Sequence, residues 1–146
     1  MNSVRDRSES ISTYIDRAVK APQQQLRQSR LGHHAALDEL RKVWDECRVA
    51  NWDGYDALPV SQGTYEAAYR LIDSLPLGFP SPAIGAEPDG DVTLEWRKSR
   101  TRTLSVSVSA NGYLHYAGLF GLGQRYGTLS HFADAPEELI RLVQDL

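Results

Sequence analysis

The sequence predicts an α+β fold with N-terminal helices, a four- to five-stranded antiparallel meander and a C-terminal helix packed on one sheet face. Three observations carry this. Apolar residues recur at three- to four-residue spacing as far as Leu75, then at every second position once the prolines at 76, 80 and 82 are passed. Within the alternating part, Pro88-Asp89-Gly90 and Asn111-Gly112 are tight-turn sequences of the kind that join antiparallel strands. The helical spacing then returns near the C-terminus.

Taken in order, His34 to about Val49 reads as a helix with Leu37, Leu40, Val43, Trp44 and Cys47 on one face. Asn51 to Ser61 interrupts the period. Thr64 to Leu75 is a second helix with Ala68, Leu71, Ile72 and Leu75 as its stripe, Ser61 as N-cap, and Pro76 with Gly78 as stop. Ala83–Glu87 is a short strand. In Asp91–Trp96 the apolar set is Val92, Leu94 and Trp96; in Thr103–Ser109 it is Leu104, Val106 and Val108 against Thr and Ser. That is the pattern of a sheet with one dry and one wet face. Tyr113–Phe120 returns as a strand, and a short fifth is expected around Thr128–Phe132. A final helix follows, with Asp134 and Glu137 at capping-box spacing, Pro136 in the first turn, and Leu139, Ile140, Val143 and Leu146 as its stripe. No internal repeat is present.

A chain of 146 residues is of single-domain size and, at 41% hydrophobic and 24% charged, has the composition of a globular protein. The expected division is a basic, Gln-rich arm or helix over 1–30 and one α+β domain over 31–146. The arm holds six basic residues (Arg5, Arg7, Arg17, Lys20, Arg27, Arg30) against three acids, in a chain whose whole charge is −3. Ile11, Ile15 and Val19 give it a narrow apolar stripe suited to a helix, and hence to a homo-oligomer through the N-terminal helices. The overall acidity argues against a protein that coats nucleic acid. One cysteine, Cys47, excludes an internal disulfide and a thiolate-rich zinc site. No apolar run has membrane-spanning length, and Met1–Glu9 lacks a signal-type apolar segment, so the expected location is the cytoplasm.

The most distinctive segment is Asn51-Trp52-Asp53-Gly54-Tyr55. Asn and Asp turn the backbone with short side chains and Gly54 permits positive φ. The segment reads either as a structural corner between helices or as a loop whose aromatics anchor a partner. Together with Glu87-Pro88-Asp89-Gly90 and Leu94-Glu95-Trp96, it resembles a group of small bacterial proteins, mostly uncharacterised, that combine an NWDGY-type turn with an EPDG hairpin running into an LEW strand. The resemblance covers about 37–146, omits the arm, implies a bacterial origin and a single domain, and brings no catalytic residue with it.

Four other features bear on function. Glu95, Ser105, Ser107 and His115 share the wet face by alternation, and a carboxylate beside an imidazole is the raw material of general acid–base chemistry. Such residues also line ordinary solvated sheet faces. Arg97, Lys98, Arg100 and Arg102 form a basic hairpin cluster next to Trp96, a pattern that can grip a phosphate backbone and stack a base, or simply face solvent or an acidic protein. Gly118–Gly127 lacks the order of a phosphate loop and reads as a flexible or bulged edge, with Leu119, Phe120 and Leu122 tucked in or held for a partner. His33 and His34 diverge on a helix and have no completing carboxylate, so neither a metal nor a cofactor is expected. With no catalytic motif present, the leading expectation is a protein-binding module of antitoxin, immunity or accessory type with Trp52, Asp53, Tyr55 and Phe120 as contact residues. A nucleic-acid-associated regulator using the basic hairpin comes second, and a small hydrolase using Glu95 and His115 third.

Overall fold

In a computed structural model, which describes residues 33–131 and 134–146, the chain forms two helices, a five-stranded antiparallel meander and a short C-terminal helix. The arm and its Ile11–Ile15–Val19 stripe lie outside the described residues. Helix α1 occupies 33–47 and α2 runs Gln62–Asp73. Strands β1 (Ala83–Ala86), β2 (Val92–Ser99), β3 (Arg102–Val108), β4 (Tyr113–Phe120) and β5 (Gly123–Ser130) pair with their chain neighbours in the order β1-β2-β3-β4-β5, and α3 spans Glu137–Gln144. Among the described residues no helix is long and apolar enough to cross a membrane.

All three helices pack on the same side of the sheet. Ala36, Leu40 and Cys47 of α1, Ala68, Leu71 and Ile72 of α2, and Leu139 and Val143 of α3 meet Val92, Leu94, Trp96, Leu104, Val106, Val108 and Leu114 in one buried cluster. Register makes this possible: Leu94 pairs with Val106 and Val92 with Val108, so the apolar sets of β2 and β3 form unbroken rows. Each fully buried Leu or Val there contributes about 1.5–3 kcal/mol relative to exposure. Ser61 caps α2 as expected, its hydroxyl accepting from the Thr64 N–H at 3.1 Å.

Two local expectations are corrected. The fifth strand covers Gly123–Ser130 and pairs with β4 without a bulge, so the glycine-rich stretch is a regular hairpin whose second strand is an edge of the sheet. Gly127 makes room on the dry face: a Cβ there would lie 2.9 Å from the Tyr116 hydroxyl directly across the ladder. The Asp134–Glu137 capping box does not form. Pro136 is the N-cap and has no side-chain cap bond, Glu137 pairs with Arg141, and the Ala135 N–H bonds the Ser74 hydroxyl at 2.9 Å. At the other end of α3, Arg125 reaches Asp145 Oδ2 at 2.8 Å and Arg102 donates to the Asp145 carbonyl at 3.2 Å. Both guanidinium groups thus sit where the helix dipole is negative.

The 51–60 corner closes on itself and then on the sheet. Asn51 and Asp56 hold left-handed backbone, with Asn51 Oδ1 accepting from the Asp56 N–H at 2.8 Å. Asp53 Oδ1 accepts from the N–H groups of Tyr55 and Ala57, and the Trp52 indole donates to the Leu58 carbonyl at 2.9 Å. The Leu58 N–H then bonds the Pro88 carbonyl at 2.8 Å, which docks the corner on the β1–β2 turn. Gly90 in that turn has φ +92°, and a Cβ there would sit 2.9 Å from the Pro59 carbonyl oxygen. Gly90→Ala should therefore lower stability by about 2 kcal/mol in chemical denaturation, through strain plus displaced corner. Gly85→Ala, where nothing lies within 4 Å, serves as a near-neutral control.

His131, just after β5, is buried, and its Nε2 has no hydrogen-bond partner among the described residues. Burial, and then the nearby Arg70, lower its pKa from 6.5, with Asp134 opposing. The folded state therefore resists protonation more than the unfolded chain does. The stability this neutral imidazole contributes is complete above pH 6.5 and is lost as pH falls through the lowered value. Thermal melts between pH 8 and 5 should show that decline, and His131→Gln should flatten it.

Candidate binding face

The opposite side of the sheet carries no helix among the described residues, and its side chains lie in cross-strand rows. One row runs Gly85–Thr93–Ser107–His115–Thr128, the next Ala83–Glu95–Ser105–Ala117–Tyr126, and a third Arg97–Thr103–Leu119–Gln124. Glu95, Ser105, Ser107 and His115 do share this face. Glu95 and His115, however, stand on β2 and β4 with β3 between them and in different rows. Two strand spacings alone separate their backbones by roughly 10 Å, and they are not cross-strand partners. His115 Nδ1 instead lies 3.0 Å from the Thr128 hydroxyl.

The carboxylate that does engage this face is Glu87, from the β1–β2 turn. Its Oε1 accepts from both the Thr93 and Ser107 hydroxyls at 2.6 Å. The sequence placed Glu87 at the end of the first strand and the start of the turn, and a β-strand pattern gives no sign that a residue there reaches onto β2 and β3. Glu87, Asp89 and Asp91 bring carboxylate atoms within 4.8 Å of one another, which is the acidic grouping among the described residues that a cation could share. The bonds it makes are those of a locked turn: Asp89 Oδ1 accepts from the Asp91 N–H, and the Glu87 N–H and carbonyl pair with Asp91 and Gly90.

Toward β4 and β5 the face changes character. Leu119, Leu122, Tyr126 and Tyr113 are all exposed, with Tyr126 at 83% and Leu122 fully so at the hairpin tip. Thr103, Ala117, Leu119, Gln124 and Tyr126 border a shallow depression of about 200 Å³. The face thus grades from hydroxyl and carboxylate at β1–β3 to aromatic and aliphatic at β4–β5.

The residues expected at sites are placed as follows. Trp52 and Asp53 are committed to the corner by the bonds above, whereas Tyr55 points outward at 89% exposure. Phe120 is half-buried against the core on the dry side, with the Arg125 guanidinium 4.4 Å over its ring. The basic cluster is dispersed. Arg102 is bound to α3, Arg97 stands on the open face, and Arg97 with Lys98 also edges a groove of about 440 Å³ floored by Pro80, Trp96, Val143 and Leu146. A bulge between Arg97 and Ser99 turns Lys98 out of register.

Burial, reinforced by the charges of Asp89 and Glu87, raises the Asp91 pKa, while His115 opposes it. A raised folded-state carboxyl is most favourable when protonated, so its penalty grows as pH rises through the carboxylate range. Asp91→Asn should raise the melting midpoint at pH 7, and the gain should vanish near pH 3, where both states hold the proton.

No family model, curated protein or solved structure matches the chain.

Proposed function

We propose that this chain is a small protein-binding module, of the antitoxin, immunity or accessory kind, that acts by presenting the β4–β5 side of its open sheet face to another protein. The observation that carries this reading is the grouping of Leu119, Leu122 and Tyr126 in solvent beside a face no described element covers. Leu119 and Tyr126 border one depression, and exposed apolar groupings of this sort mark interaction surfaces. Tyrosine is suited to such contacts because a large ring is buried at small entropic cost while its hydroxyl keeps a polar partner. The separation of Glu95 from His115 supports binding over acid–base chemistry. The engagement of Arg102 with the end of α3 takes one of the four basic residues out of a shared grip and favours a protein partner over a phosphate backbone, since a polyanion is gripped by charges that act together. The resemblance to small bacterial proteins agrees with a compact module of this type.

Affinity capture from a bacterial lysate, with the tagged full chain as bait, tests the reading when the variants Leu122→Ser and Tyr126→Ala are run beside the unaltered protein. Loss of a contact at the centre of such a surface typically costs about 2 kcal/mol, or roughly thirtyfold in affinity. The bound partner should be depleted accordingly, while Tyr69→Ala, on the helical side, leaves it in place. Equal capture by all three variants would remove the β4–β5 surface from the proposal.

A further inference from the structure

The two edges of the sheet are treated very differently. At β1 the strand is four residues long and lies between Pro82 and Pro88, and the Glu39 carboxylate of α1 accepts from its Ile84 N–H at 3.4 Å. That edge is short and capped. At β5 the strand is eight residues long, contains no proline and has no bulge against β4. Its single charge, Arg125, is engaged with Asp145 and the Phe120 ring on the dry side. None of the usual devices that blunt an edge strand is present among the described residues.

The direction of the unpaired groups can be worked out. The His131 N–H bonds the Gly112 carbonyl, and that pair continues the β4–β5 register. Antiparallel ladders alternate, so Gly123, Arg125, Gly127 and Leu129 turn their main-chain groups toward β4. Gln124, Tyr126, Thr128 and Ser130 therefore turn theirs outward.

We propose that the β5 edge is occupied by a second copy of this chain, joined by antiparallel β5–β5 pairing about a two-fold axis at Tyr126, so that two five-stranded sheets become one of ten strands. The proposal rests on the β4–β5 binding reading and names one partner for that surface. The axis places Tyr126 opposite Tyr126 and Gln124 opposite the partner's Thr128, all positions with outward main-chain groups, giving about six inter-chain hydrogen bonds. On the open face these pairs are aromatic with aromatic and amide with hydroxyl, both favourable across a ladder. On the dry face Arg125 faces the partner's Gly127, which offers space and no charge. No like charges meet anywhere along the strand, so the edge is complementary to itself as a two-fold contact requires. The joined sheet also carries the apolar part of the open face continuously across the axis.

Sedimentation equilibrium of the full chain, with amide hydrogen exchange on the same samples, tests this. The unaltered protein should be a dimer, with the amides of Gln124, Tyr126 and Thr128 protected although β4 does not bond them. Tyr126→Lys sets two ammonium groups opposite each other and should weaken the dimer at least about tenfold and release those amides. Because Tyr126 is exposed, the fold survives the change, and Thr128→Pro, which removes an outward main-chain donor and the hydroxyl beside His115 while leaving the β4–β5 main-chain bonds in place, is a second variant with the same expected outcome. A monomer at all concentrations with fast exchange at those three amides overturns the pairing. So does a dimer that both variants leave intact. If the chain is monomeric yet Leu122→Ser still abolishes lysate capture, self-pairing fails while the binding-module reading stands; failure of both assays removes both.

Discussion

The contact on which the rest of the molecule depends is the docking of the 51–60 corner onto the β1–β2 turn. The helical half and the sheet half are joined through a proline-rich connection over 76–82, which is pinned by the Trp96 indole donating to the Pro80 carbonyl at 2.8 Å. A single link of that kind would leave the helices to settle on the sheet by apolar burial alone, which is strong but non-directional. The Leu58 N–H bonded to the Pro88 carbonyl, and the close approach of Pro59 to Gly90, add a second and directional link. The same turn sends Glu87 across the far face to Thr93 and Ser107. One tight turn thus orders the helices on one side and the hydroxyl rows on the other. This also links NWDGY to EPDG: the first shapes the corner that presents Leu58 and Pro59, and the second receives them.

Placing all three helices on one side leaves a polar sheet surface, and the energetic value of that surface is uneven. The Thr, Ser and Glu positions of β1–β3 already exchange hydrogen bonds with each other or with water. A partner that covered them would gain only the small net difference between one set of hydrogen bonds and another. Leu119, Leu122 and Tyr126 hold apolar area in water, and covering each contributes about 1.5–3 kcal/mol. Whatever meets this face gains most at its β4–β5 end.

Much of this fold was legible from residue spacing. The alternation through Val92–Val108 defines a strand pair whose register must keep Leu94 beside Val106, since a slip of one residue would turn every apolar side chain to water. The Ser61 cap was equally plain, because a hydroxyl before an apolar period has few other uses. β5 was not legible. Its glycines depress strand propensity, and Gly127 makes room for Tyr116 on the neighbouring strand, a reason that exists only once the two are paired. The failed capping box has a similar origin, for α3 starts later than the spacing implies, with Pro136 as N-cap, and the segment before it is held by the Ala135 N–H on the Ser74 hydroxyl. At the candidate site, alternation placed Glu95 and His115 on one face correctly. It could not order the rows, because distance across a sheet depends on how many strands intervene.

The same distinction explains which aromatic residues stay available. Trp52 and Tyr55 are neighbours in a single motif, and residue type alone would make Trp52 the stronger anchor. Its indole N–H, however, must find an acceptor wherever the ring is partly buried. The Leu58 carbonyl supplies one, so Trp52 becomes part of the corner and Tyr55 is left outside. Tyr116 and Tyr126 repeat the division on the sheet: two residues on paired strands, assigned by parity to opposite faces. Tyr116 fills the space above Gly127, and Tyr126 projects largely into solvent. In this chain, then, an aromatic is left for a partner when parity turns it away from the core and no local acceptor or cavity claims it. Tyr126 satisfies both conditions, and it does so on the strand whose outer edge is open.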